Sequence, residues 1–294
     1  MTTLIQHLID AVTLGSIYAL LGLGITLVFG IMRLVNFAHG ELVMVGAYAA
    51  VVIGHGSLPV LIAAVIILPM LFALLMERFA FRPVRRAAET TLLVTSFAVS
   101  YLLQNLAMLI FGATPRSINL LTAFSESFTA GGLSIPKLDI ATVTTAAVLC
   151  AGLTLFLKRT RLGVQVRAAS EDFRMARVLG VRANRVIASA FCVSGLLAGV
   201  ASFLLVSQSG TVYPTMGQTA VLAAFIATVL GGMDSLLGSV AGAMILGLLT
   251  VLLESYLPTD LQQYQQAFAY VIVIAVLLGR PDGLFVPKTS RTRI

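Results

Sequence analysis

Apolar runs fill the chain from Leu8 to Leu278, and the polar positions between them are short, clustered and unevenly charged. A helix needs roughly 20 mainly apolar residues to cross a hydrocarbon core about 30 Å thick. On that measure the pattern predicts membrane segments over residues 8–31, 42–53, 58–76, 92–111, 140–157, 187–206, 219–230, 236–253 and 268–278. The expected fold class is therefore all-α: a polytopic transmembrane helical bundle of eight or nine segments in a single domain covering residues 1–294. Residues 219–230 would span only about 18 Å as a helix, and residues 42–53 are similar, so some segments are expected to be broken. Any such break must be buried in protein or line a wet cavity, because lipid cannot satisfy free backbone groups.

Composition agrees. Hydrophobic residues make up 59% of the 294, charged residues only 11%, and mean hydropathy is +1.00; a soluble domain carries about 25% charge. No basic stretch precedes the first apolar run, so the first helix is expected to be retained rather than cleaved. The net charge of +7 reflects topology rather than nucleic-acid binding. Of the 19 Lys and Arg, 17 fall at Arg33 or in three stretches, residues 78–86, 158–185 and 280–293, leaving Arg116 and Lys137. The positive-inside rule places these stretches and the C-terminus in the cytoplasm and leaves the side of the N-terminus open.

Catalytic chemistry finds little support. Cys150 and Cys192 fall in separate apolar segments, His7, His39 and His55 lack metal-ligand spacing, and no phosphate loop or nucleophile elbow is present. No metal site or bound cofactor is expected. The polar residues inside apolar surroundings are more informative. Asn36, His39 and Glu41 flank Gly40 between two apolar runs, where they could form an interfacial turn or a packed joint beside a translocation path. Gln104 and Asn105 interrupt a span and could join helices or face a polar solute. A second break contains Gly231, Gly232 and Asp234; Gly238 and Gly242 follow at small-xxx-small spacing, which favours close helix packing. The candidate path residues are thus Asn36, His39, Glu41, Gln104, Asn105 and Asp234, and the candidate structural glycines are Gly40, Gly231, Gly232, Gly238 and Gly242.

The basic loop at about residues 158–186 predicts a short helix over residues 170–180. Ser170 is its expected cap, Glu171 and Asp172 oppose the positive end of the dipole, Arg174 and Arg177 lie nearer the negative end, and Gly180 stops it. Phe173 and Ala176 form an apolar stripe, expected either to dock a cytosolic partner or to rest on anionic lipid.

The chain resembles the permease subunits of ABC importers for branched-chain amino acids. The resemblance covers nearly the whole length. It rests on residues 13–20 (TLGSIYAL), 36–41 (NFAHGE), Glu77-Arg78 with residues 82–85 (RPVR), 171–180, Gly231-Gly232 and residues 281–284 (PDGL). Asp234 stands where the family often has glycine. The resemblance implies a non-enzymatic subunit of the bacterial inner membrane, whose loop helix, here Glu171 to Gly180, couples to cytosolic ATPases that use ATP and Mg. It further implies a second, homologous permease subunit, a heterodimer rather than a homodimer, two ATPase subunits, an external solute-binding protein, surrounding lipid and no nucleic acid. Similar permeases carry urea, short amides or aromatic compounds. From a different class, a self-sufficient transporter would use Glu41 and Asp234 as proton carriers.

Overall fold

The computed structural model describes residues 2–54, 56–85, 87–118, 127–130, 133–281 and 283–285; the predicted cytoplasmic residues Arg86, Lys288, Arg291 and Arg293 lie outside them. In chain order the helices are α1 (Thr2–Met32), α2 (His39–Ile53), α3 (Leu58–Leu75), a π-helical turn (Met76–Phe81), α4 (Arg82–Val84) and α5 (Glu89–Phe111). Next come strands β1 (Arg116–Ser117), β2 (Ser127–Ala130) and β3 (Leu133–Pro136), then α6 (Lys137–Arg159), α7 (Arg161–Glu171), α8 (Phe173–Val178) and α9 (Ala183–Ser209). The chain continues through β4 (Thr211–Val212), α10 (Met216–Gly231), α11 (Leu236–Tyr256), a 3-10 helix (Thr259–Tyr264) and α12 (Gln265–Gly279).

Among the described residues seven helical segments are long and apolar enough to span a membrane, and two apolar helices, α2 and α10, are shorter. The nine segments predicted from the sequence are thus present. α10 extends to 16 residues and α2 to 15, but at about 24 and 22 Å both still fall short of a full crossing. The strands add only two small antiparallel pairs, β1 with β4 and β2 with β3.

Burial separates the bundle into an inner and an outer set. In the most apolar stretch of α1, 78% of residues are buried, against 22% in those of α3, α5 and α6. The outer helices present large exposed side chains such as Phe97, Leu109, Val148 and Ile274. In water such surfaces would drive aggregation; against acyl chains they have their natural solvent.

Two halves share one plan. α1, a six-residue break, short α2 and long α3 in the first half match α9, a six-residue break, short α10 and long α11 in the second. Their packing is reciprocal: α1 lies on α11 and α9 on α3, while α2 touches α9 and α10 touches α1. The short helices also point in opposite directions. Their starts meet at Gly40 and Gly217; α2 then runs to the end carrying β4, and α10 runs to the end where Asp234 pairs with Arg33. This is the arrangement of an inverted repeat built around two discontinuous helices.

Glycine makes the meeting possible. A Cβ on Gly40 would stand 2.2 Å from the Gly217 carbonyl oxygen, and one on Gly217 would stand 2.1 Å from the Gly40 carbonyl oxygen. The expected structural glycines of the second break behave alike: a Cβ on Gly231 would meet Gly238 at 1.8 Å, and one on Gly242 would meet the Ala227 carbonyl at 2.1 Å. Gly232 has a different duty, ending α10 at φ +107°, a conformation side chains resist. The carbonyls left free there, on Leu230 and Gly231, accept hydrogen bonds from the backbone N–H groups of Leu284 and Phe285, which dock the C-terminal motif at this end.

Gly40→Val should therefore destabilise the chain by about 1–3 kcal/mol or more, the range of overpacking, since backbone must move. Gly152→Ala, where an added Cβ meets nothing within 4 Å, should be neutral. Thermal denaturation in detergent, read by loss of the monodisperse chromatographic peak, checks the pair; equal melting would contradict the glycine contact.

Candidate functional site

The polar joint at residues 36–41 is buried, not interfacial. Asn36 is 4% exposed, His39 1% and Glu41 0%. α1 ends at Met32, and Arg33 turns the chain with φ +52°. Asn36 then organises the re-entry: its side-chain Oδ1 accepts from the Ala38 N–H at 3.1 Å and its carbonyl accepts from the His39 N–H at 3.2 Å. These bonds satisfy backbone groups that a broken helix would leave bare.

His39 fixes α2 to both central helices. Its Nδ1 lies 3.0 Å from the Ser194 hydroxyl on α9, and its ring packs so closely on α1 that a Cβ at Gly24 would come within 2.7 Å of it. Glu41 faces the other way, to α5. Its Oε1 accepts from the Ser100 hydroxyl at 2.8 Å and the Gln104 amide at 2.7 Å, and that amide also reaches the Ser100 oxygen at 3.2 Å. Aromatic stacks continue the seam at either side, Phe37 on Phe97 with ring centres 4.5 Å apart and Tyr48 on Phe111 at 4.2 Å. α5, otherwise an exposed outer helix, is thereby latched along α2.

The structure thus brings Asn36, His39, Glu41 and Gln104 into one joint and leaves two expected members out. Asn105 lies on another face of α5, with its amide donating to the Tyr101 carbonyl of its own helix at 2.7 Å. Asp234 forms an ion pair with Arg33, both side chains about half exposed, at the end of the bundle where α1 and α10 finish. A carboxylate there keeps water and a cation, so the low cost of an edge position applies and no functional burial is needed. Ser100 and Ser194 were not among the residues that the sequence singled out. Ser96, Ser100 and Gln104 recur every fourth residue and are all buried, a polar helical stripe that could have marked the first. Ser194 carries no comparable signal.

The loop helix also differs from expectation. One helix from Ser170 was predicted; instead α7 runs through Ser170 and Glu171, and a new helix starts after Asp172. Ser170 donates to the Arg167 carbonyl inside α7, whereas Asp172 accepts from the Arg174 and Met175 N–H groups at 2.9 and 3.0 Å and is the true cap. The shorter chain of Ser170 is already engaged by the preceding turn, while the Asp172 carboxylate reaches two free donors. Gly180 stops α8 as predicted, at φ +86°, with Val181 N–H bonded to the Ala176 carbonyl in a Schellman-type closure.

Its apolar faces are divided. Ala176 is 3% exposed and Phe173 is half-buried, and both pack against the chain's own core. Met175, Val178 and Leu179 instead stand out at 56%, 82% and 77% exposure. The stripe expected to meet a partner is the anchor of α8; its free apolar surface is the opposite one. Four arginines, Arg85, Arg177, Arg182 and Arg185, line a cavity of about 540 Å³ beside it. Among the described residues no three His, Cys, Asp or Glu side chains gather as a metal site.

Removing the acceptor of the latch should expose its energetic role. Glu41→Ala removes the acceptor shared by two buried donors and leaves the Ser100 hydroxyl without it, at a cost of about 1–3 kcal/mol, whereas Asn105→Ala should cost little. Melting curves of the two variants test this, and indistinguishable stabilities would exclude the latch as a structural contact.

Known proteins are similar to this sequence over nearly its whole length. Residues 7–277 match the family described as the permease component of branched-chain amino acid transport systems. The high-affinity branched-chain amino acid transport permease BraD of Pseudomonas aeruginosa is 37% identical over 297 residues, covering 95% of each chain. LivH of Escherichia coli K12, of the same description, is 36% identical over 95% of this chain and 94% of its own. A further permease protein with that description from the same organism, LivM, is 26% identical over 94% of this chain and 69% of its own.

Proposed function

We infer that this chain, which belongs to the family of permease components of branched-chain amino acid transport systems, lines the translocation path of an ATP-driven importer for leucine, isoleucine, valine or related amino acids. The observation that carries the reading is the near full-length similarity to BraD and LivH, two permeases of that description. The substrate assignment follows those relatives, and nothing favours urea, amides or aromatic compounds instead.

Escherichia coli has both LivH and LivM, two different permeases described alike and both similar to this chain. We therefore propose a heterodimer with a second, homologous permease, joined by two ATPase subunits on the basic side and a solute-binding protein on the other. That basic side is the cytoplasmic face of the bacterial inner membrane, and the C-terminus lies on it. Arg33, α4, the α7–α8 segment and the C-terminal turn all sit at this end of the bundle, which suits the positive-inside rule.

The arrangement supplies movement, not catalysis. ATP and Mg belong to the partner ATPases, whose closure would push on α8. The exposed Met175, Val178 and Leu179 surface offers them an apolar contact framed by Glu171, Arg174 and Arg177. α8 is tied to the bundle through Phe173 and Ala176, so force on its tip is passed inward. A transporter driven by protons on Glu41 and Asp234 fits poorly, because the first is bonded to Ser100 and Gln104 and the second to Arg33.

Val178→Asp should lower ATP-driven leucine uptake by about tenfold or more in the reconstituted importer, because an unpaired charge would enter the contact. Membrane insertion should be unchanged, as Val178 makes little contact within the chain. Normal uptake at matched abundance would overturn coupling through this surface.

A further inference from the structure

A second cavity, of about 430 Å³, lies between α1, α9, α10, α11 and α12. It opens at the end opposite the arginines, where Glu254 of α11 and Gln266 of α12 are exposed, and it reaches inward to Met216. Met216 is the first residue of α10 and precedes Gly217, so the cavity ends at the meeting of the two short helices. Its size falls within the range of about 300–1,000 Å³ usual for small-molecule sites.

The lining is chemically asymmetric. Leu14, Ile17 and Ala223 form an apolar wall, while Tyr18 and Tyr270 bring phenolic hydroxyls capable of donating to a carboxylate. Among the described residues Glu254 is the one carboxylate that lines the space, and no Lys, Arg or His does. Among the described residues its carboxylate makes no ion pair. A carboxylate at the mouth, two phenolic hydroxyls and an apolar wall together suit a ligand with a cationic head and an aliphatic body.

We propose that this cavity is a transient solute site within the subunit, taking one zwitterionic amino acid with an aliphatic side chain. Its ammonium group faces Glu254, its carboxylate faces the tyrosine hydroxyls and its side chain lies on the Leu14–Ile17 wall. The assignment rests on the permease reading and adds to it a place where solute pauses between the external receptor and the α2–α10 junction. Few polar contacts and an exposed carboxylate make the binding weak, as a transport path requires if solute is to leave again. The absence of any basic side chain also disfavours acidic amino acids.

The test uses the reconstituted importer with Cys150 and Cys192 replaced by alanine and Thr219→Cys introduced at an exposed position on the cavity wall. Labelling by a small thiol reagent is followed without ATP, and leucine uptake is measured in parallel with ATP. Leucine should slow labelling and glutamate should not; Glu254→Gln should raise the protecting leucine concentration by about two- to fivefold, as expected for loss of a solvent-exposed charge pair. Tyr18→Phe should raise it as well. Uptake with no protection by leucine would overturn the site and leave the permease reading standing. Protection without uptake would leave the site and remove that reading. Equal protection by leucine and glutamate, or an unchanged Glu254→Gln response, would refute the proposed recognition.

Discussion

Backbone that is not helical can exist at membrane depth only where protein replaces the water it would otherwise need. This chain interrupts two helices there, and much of its architecture serves those interruptions. Gly40 and Gly217 let the two restarted helices touch backbone to backbone, and the Asn36 side chain closes the turn that leads to the first. α1 and α9, the most enclosed of the seven long spans, shield the junction from lipid. Of the outer helices, α5 carries a buried polar stripe that covers Glu41, while its opposite face is plainly apolar.

The same constraint separates the two acidic residues that looked comparable in sequence. Glu41 is wholly enclosed, with Ser100 and Gln104 donating to its Oε1 and no partner for its Oε2 among the described residues; Asp234 sits at a wet edge and needs only Arg33. Burial makes the first contact a joint between α2 and α5. Exposure makes the second a modest surface pair, of the kind commonly worth about 0–1 kcal/mol. An equal role for both in carrying protons would require equal environments, which they do not have.

In the proposed coupling, a push from a partner ATPase would enter at the α8 tip and cross to this junction. The two faces of α8 suit that proposal, because Ala176 and Phe173 bind it to its own subunit while Val178 and Leu179 remain outside. The reciprocal packing of the two halves gives a displacement somewhere to go, because a shift of α9 is felt by both α2 and α3. Such an inverted pair can favour access from one side or the other with the central contact kept.

The number of membrane segments, the two short ones, the clustering of positive charge and the stop at Gly180 were legible in the sequence. Each depends on composition or spacing along one stretch of chain, which hydrophobic transfer and glycine's backbone freedom translate directly into structure. The pairing of Gly40 with Gly217, the choice of Ser100 and Ser194 as partners, and the inward turn of Phe173 and Ala176 were not. They are set by which helices meet and in what rotation. Residues far apart in the chain must find a common fit, and the pattern along any single helix does not contain its neighbour.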